Sequence, residues 1–189
     1  MIKALSHHSA KRHLEEIGGR LKKIAAIVAG NRRSVCLPVP SLIQVDGHSC
    51  GFCSALMVTN FYSVRISQER LRRFACISRD GTSTRQMVQF LRGGGLSVRV
   101  HEDGEAHVAT VLQALDKDIP VIVSVRPKHP HYLVITGYDS RFLYVNDPAA
   151  HRNVFGRIRR RRFRRIWTRE ALIVTRRTRL CRGKRDQHR

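Results

Sequence analysis

Apolar residues recur at helical spacing through the first part of the chain and switch to strand spacing later. From Ala10 to Gly30, Leu14, Ile17, Leu21, Ile24, Ala25 and Val28 form one stripe, which predicts an amphipathic helix weakened by Gly18-Gly19. Asn31 to Pro40 reads as a linker, because Pro38-Val39-Pro40 stops any helix. Gly47-His48-Ser49 reads as a turn with Ser49 as N-cap. Phe52, Ala55, Leu56, Val58 and Thr59 then carry a buried helix from Cys50 to Tyr62. A short helix over Ser67 to Ala75 turns Leu71 and Phe74 inward. Asp80 to Thr84 supplies a turn and cap for a helix over Arg85 to Arg92, whose apolar face is Met87, Val88, Phe90 and Leu91. Gly93-Gly94-Gly95 ends it.

Leu96 to His101 alternates Leu96, Val98 and Val100 against Ser97, Arg99 and His101, the pattern of a half-buried strand, and Val108 to Leu115 is a further helix. Pro120 to Val125, His131 to Tyr138 and Phe142 to Asn146 read as three adjacent antiparallel strands, the last two joined through Asp139-Ser140-Arg141. Phe163, Ile166 and Trp167 mark a short element before a last strand over Ala171 to Thr175. Helices first and sheet second, with little βαβ alternation, predict an α+β fold. The expected organisation is an N-terminal helix and linker over residues 1–39, one domain over residues 40–175, and a basic tail over residues 176–189.

Charge changes this picture at one end. The chain carries 36 Lys+Arg against 14 Asp+Glu, a formal net charge of +22, concentrated in Arg157 to Arg165 and Arg176 to Arg189. Such a surface favours acidic partners: nucleic acid, an anionic membrane surface or acidic peptides. Aromatic residues are sparse within it, only Phe163 and Trp167, and the core claims both. No apolar run approaches the ~20 residues of a membrane span and no secretory signal opens the chain, so a cytoplasmic protein is expected.

The 5 cysteines are an odd number without repeated spacing, which argues for a reducing compartment and against a disulfide framework. Cys50-Gly51-Phe52-Cys53 is formally a C-x-x-C, but it lacks a second pair and a suitably spaced histidine, so a zinc or thioredoxin-like reading is weak, and no metal or cofactor is expected. Cys50 stands out for its place at the start of a buried helix. The helix dipole there lowers a thiol's pKa and favours the thiolate. Gln44 is near enough upstream to turn back and donate an amide N–H to an oxyanion beside Cys50, a contact typically worth about 3–4 kcal/mol in acyl transfer. If Gly137 to Phe142 joins a hairpin, His131 and Asp147 come to the same sheet edge, as a base and the group that orients it. Read separately, Cys50 is an ordinary core cysteine, His131 a strand-end histidine and Asp147 a turn former before Pro148; their joint occurrence is harder to reach by chance.

The ordered set of Gln44, Cys50-Gly51, Ser54, Met57, Gly81-Thr82-Ser83, Gly94-Gly95-Leu96, Pro120-Val121-Ile122, His131-Tyr132-Leu133-Val134-Ile135, Asn146-Asp147-Pro148, Phe163, Trp167 and Ala171-Leu172 resembles the papain-like cysteine peptidase domains that process bacteriocins after a double-glycine leader. The resemblance covers roughly Pro40 to Thr175. It implies a papain-like fold with the nucleophile helix packed on a C-terminal antiparallel sheet. It also implies Cys50 as nucleophile, His131 as general base, Asp147 as orienter and Gln44 as oxyanion donor. Cleavage after small residues, Gly-Gly above all, follows from it, as does a separate membrane exporter as partner, which extends the expected location to the inner face of the membrane. Ser49 replaces an acidic residue often found before the nucleophile, Cys53 replaces a small one, and the arginine-rich stretches have no counterpart in the family. Two other functions stay open: a non-catalytic module that binds nucleic acid or an acidic partner through its arginines, and self-cleavage at Gly18-Gly19.

Overall fold

The computed structural model describes residues 34–75, 81–126, 129–149 and 156–177; the helix expected over Ala10–Gly30, its Gly18-Gly19 and most of the basic tail lie outside them. In chain order the elements are β1 (Val35–Cys36), α1 (Cys50–Phe61), α2 (Gln68–Ala75), α3 (Thr84–Gly93), β2 (Leu96–His101), α4 (Val108–Leu115), β3 (Val121–Val125), β4 (His131–Tyr138), β5 (Phe142–Asn146), β6 (Gly156–Arg159), α5 (Arg160–Ile166) and β7 (Trp167–Arg176). The expected α+β arrangement is present: helices come first, and α1 packs on β4 of an antiparallel sheet.

The strand order is β2-β7-β3-β4-β5-β6, with β1 beside β4. The β4–β5 hairpin has the expected connection, and a bulge between Ile135 and Gly137 adjusts its register. The last strand enters the sheet between β2 and β3, so β3 is buried along its whole length and reads as an unbroken apolar run. His131 and Trp167 both oppose Val125, so β4 and β7 begin at one end of the sheet, while Tyr138, Phe142, Arg159 and Arg176 lie towards the other.

Part of the segment expected as a linker is sheet. Val35 and Cys36 pair with Tyr138 and Gly137, Leu37 donates to the Thr136 carbonyl at 2.7 Å, and Leu37 and Val39 are buried. Gly137 permits this docking: a Cβ there would stand 2.1 Å from the Val35 carbonyl oxygen. A strand this short has no periodicity to read, so its pairing comes from its partner.

The helical side closes around aromatic rings. Phe74 stacks on Phe90 at 4.1 Å between centroids, and Phe52 meets Phe74 at 5.3 Å, which joins α1, α2 and α3. Helix α3 begins with a capping box in which Ser83 and Gln86 bond reciprocally, a device that contributes about 1 kcal/mol. The element marked by Phe163, Ile166 and Trp167 is α5 running into β7. Phe163 is fully buried and stacks on Trp167 at 4.9 Å, while the arginines around it stay outside.

Candidate active site

The site begins with the turn into α1. Asp46 Oδ1 accepts the backbone N–H groups of His48 at 2.7 Å and Ser49 at 2.8 Å, which folds the chain tightly before the helix. Ser49 occupies the N-cap position, yet its hydroxyl makes no capping bond, because Asp46 has already organised the turn. Cys50 is therefore the first helical residue, where free backbone N–H groups and the helix dipole favour an anion. Gly51 lets this end of α1 approach the Gly81-Thr82 segment: a Cβ on Gly51 would lie 3.0 Å from Thr82 Cβ and 3.2 Å from the Thr82 carbonyl oxygen. Gly81 adopts a φ of +84°, with the His48 carbonyl 3.1 Å from where its Cβ would be. The Cys-Gly pair and the Gly-Thr-Ser cap are two sides of one contact.

Strands β4 and β5 bring the other groups. His131 Nε2 lies 2.6 Å from Asp147 Oδ1, which leaves Nδ1 as the ring nitrogen available to the Cys50 thiol that bonds this side chain. Asp147 Oδ1 also accepts the Ala149 N–H at 2.9 Å, so one carboxylate oxygen both closes the turn and bonds the His131 ring. Burial by itself would raise the Cys50 thiol. Hydrogen bonds from His131 and from the Tyr132 backbone N–H, with the charge of His131, outweigh that effect and hold the thiol below its ordinary range. For His131, burial acts to lower the pKa, but the bonds and charges of Asp147 and Cys50 push it up to about 9. Asp147 is lowered despite burial because it faces that cation. The three directions all favour a thiolate and imidazolium beside a carboxylate over the neutral pair. Such a pair can add a thiolate to a carbonyl and return a proton to a leaving amine.

Gln44 is tied to this end of the sheet by its backbone N–H, which donates to the Pro148 carbonyl at 3.0 Å. Its side-chain Nε2 donates to the Asp46 carbonyl at 2.6 Å, so one amide proton is engaged in the turn and the second is left for another acceptor. Cys53, one turn along α1, is a buried free thiol whose surroundings push it up to about 11, chemically opposite to Cys50. Asp46, Thr82 and the Tyr132 backbone are contributors that spacing does not reveal. Asp46 could be read from its place before Gly47-His48-Ser49 as an Asx turn, whereas Thr82 and Tyr132 act through contacts distant in sequence.

The profile of the Peptidase C39 family matches residues 39–179. The chain belongs to this family of cysteine peptidases. It is 28% identical over 133 residues to the transport/processing ATP-binding protein ComA of Streptococcus pneumoniae, covering 69% of this chain and 18% of that protein. It is 30% identical over 107 residues to a lactococcin transport/processing ATP-binding protein, LcnC-like, of Lactococcus lactis, covering 56% and 14% respectively. The C39 chain thus spans under a fifth of the length of these curated relatives. Among solved structures, the peptidase domain of Streptococcus ComA superposes with a TM-score of 0.62 at 24% identity, covering 74% of this chain and 99% of that one. A double glycine motif protease from an AMS/PCAT transporter, in complex with its leader peptide, gives 0.59 at 23% identity over 76% of this chain and 95% of that one. The C39 fold is therefore papain-like, with α1 packed against an antiparallel sheet.

Proposed function

We propose that the chain hydrolyses a peptide bond after small residues, Gly-Gly at the end of a leader peptide, through an acyl-enzyme on Cys50. The observation that carries this reading is the alignment of Cys50, His131 and Asp147 at the N-terminus of α1. The Cys50 thiolate adds to the scissile carbonyl carbon. The oxyanion that forms lies against the N-terminal end of α1, with the second amide proton of Gln44 as its side-chain donor. Collapse breaks the C–N bond, and His131 gives its proton to the departing amine. His131 then takes a proton from water as it attacks the thioester, which releases the acid and restores the thiol pair. Asp147 keeps Nε2 occupied so that Nδ1 faces sulfur throughout. The Gly-Gly preference is supported by the similarity to a double glycine motif protease bound to its leader peptide. A separate membrane exporter as partner, at the inner face of the membrane, is supported by the transport proteins to which the chain is related. Among the described residues no helix is long and apolar enough to cross a membrane. The test is cleavage of a synthetic leader peptide ending in Gly-Gly, with product ends read by mass spectrometry. Cleavage after the second glycine that is lost in Cys50→Ala is expected, and turnover persisting in that variant overturns the reading.

A second reading concerns the basic surface. Arg157 and Arg159 lie over the Phe142 ring at 4.6 and 5.6 Å, and Arg160 over Tyr138 at 5.1 Å, so part of the charge is held in place by aromatic faces. Arg161, Arg162, Arg164 and Arg165 are exposed on α5. We infer that Arg157–Arg165, with the sequence from Arg176 to Arg189, docks an acidic partner, either nucleic acid or an anionic surface. The aromatic rings beneath these guanidiniums are covered, which disfavours base stacking and leaves phosphate contact. Binding to a DNA duplex that weakens steeply between 50 and 200 mM salt is expected for the nucleic-acid form. No binding at low salt removes it.

A further inference from the structure

The Thr84 hydroxyl joins two side chains that the mechanism above leaves unused. Its Oγ1 lies 2.7 Å from the Tyr132 hydroxyl and donates to Glu170 Oε1. A carboxylate only accepts and a threonine hydroxyl carries one proton, so the direction is settled: Tyr132 donates to Thr84, and Thr84 donates to Glu170. The members come from three elements around the site. Thr84 opens α3, directly after the Thr82 segment on which Gly51 rests. Tyr132 follows His131 on β4 and offers its backbone N–H to the Cys50 sulfur. Glu170 belongs to β7.

Glu170 reaches this position through an irregularity in its strand. Between the pairs Val123–Ala171 and Val125–Trp167, β7 uses more residues than β3, which is a bulge over Thr168, Arg169 and Glu170. Arg169 within it has a φ of +66°, a left-handed conformation that costs a non-glycine residue about 1–2 kcal/mol. The bulge is nevertheless pinned from all sides. The Arg169 carbonyl accepts from Ala106 at 2.8 Å, its Nε donates to the Ala106 carbonyl at 3.0 Å, and Trp167 Nε1 donates to the Glu170 carbonyl at 2.9 Å. Bulges beside reaction sites serve to re-aim a side chain, and here the re-aimed group is the carboxylate that ends the hydrogen-bond chain.

We propose that Tyr132, Thr84 and Glu170 form a positioning relay that seats the start of β4 against the nucleophile helix, so that the His131 ring and the Tyr132 N–H both meet Cys50. The relay rests on the reading of Cys50 and His131 as the reacting pair, on which its members act through β4 as positioning residues. The phenol fixes the strand end laterally, and the carboxylate fixes the phenol. Removing one hydroxyl leaves the ring packing intact but frees β4 to move by tenths of an ångström, which weakens the bonds that keep the thiol ionised.

The test compares the full chain with Tyr132→Phe, Glu170→Ala and the conservative Thr84→Ser. Two quantities are read: the pH midpoint of Cys50 alkylation by iodoacetamide, and kcat and KM on the Gly-Gly peptide. Losing a single hydrogen bond moves the midpoint upward by about half to one pH unit in Tyr132→Phe and Glu170→Ala. It lowers kcat about three- to tenfold with little change in KM, while Thr84→Ser keeps the wild-type values. A merely structural role would lower the melting temperature and leave the midpoint in place, and that result overturns the relay. If wild-type protein cleaves the peptide and Tyr132→Phe matches it in both quantities, the relay alone fails. If wild-type Cys50 shows no activated thiolate, the parent reading and the relay fail together.

Discussion

Replacing Gly51 by alanine sets two effects against each other. Alanine is the better helix former, by at most about 1 kcal/mol over glycine. Against this, the new methyl group would lie 3.0 Å from Thr82 Cβ, 3.2 Å from Met87 Sδ and 3.2 Å from the Thr82 carbonyl oxygen. The methionine sulfur can move, but Thr82 cannot easily do so. It lies between Gly81, held at positive φ, and the Ser83–Gln86 capping box, and it is itself buried. Overpacking of this kind costs about 1–3 kcal/mol, so the net effect is destabilisation by up to about 2 kcal/mol, or up to roughly 8 °C in a domain of this size. The strain relaxes by pushing the first turn of α1 away from Thr82, and Cys50 moves with it relative to His131. Thermal unfolding followed by circular dichroism, together with the alkylation rate of Cys50 near neutral pH, measures both consequences. A Gly51→Ala variant that melts higher than wild type and alkylates at the same rate would refute this account of the Cys-Gly pair.

Three further outcomes follow from the same geometry. Asp147→Asn removes the charge that holds His131 near 9 and weakens a charge-assisted bond worth about 1.5–3 kcal/mol, so the imidazolium should deprotonate about one to two units lower and kcat should fall with it; NMR titration of the imidazole reads this, and an unmoved titration contradicts the orienting role. Because the folded-state pKa of His131 is raised, its contribution to stability is fully present below about 6.5, the unfolded value, and is lost as pH rises through about 9. Peptidase activity should fall on the same alkaline limb as the proton for the leaving amine disappears, and a rate that keeps climbing beyond pH 10 contradicts this. Gly137→Ala drives a methyl group into the Val35 carbonyl and should detach β1 at a cost of about 3 kcal/mol or more, read as a lower urea midpoint.

Where burial is decided locally, the residues announce the fold. The alternation of Leu96, Val98 and Val100 and the apolar run of β3 mark strands, and the turn and cap over Asp80 to Thr84 mark the start of α3. Where a partner decides, the pattern is silent. The pairing of β1 depends on Gly137, β6 is masked by arginines around Ile158, and α5 shows only as the short element that Phe163 and Ile166 mark. The insertion of β7 between β2 and β3 joins segments far apart in the chain. The candidate site divides in the same way. Cys50 at a helix start and His131 with Asp147 on a hairpin are visible because helix ends and hairpins are local. Thr84 and Glu170 become part of the site only through the bulge in β7 and the cap of α3, and no short-range spacing encodes either contact.

In the proposed chemistry His131 holds Cys50 as a thiolate. Alkylation with iodoacetamide at about pH 6, where an unperturbed thiol of pKa near 8.5 is almost wholly protonated, followed by peptide mapping of all 5 cysteines, tests it most directly. Rapid labelling confined to Cys50 is expected, with Cys53 unreactive, and with loss of that selectivity in His131→Ala. Slow labelling spread evenly over the cysteines, or selective labelling of Cys50 that survives in His131→Ala, would contradict it.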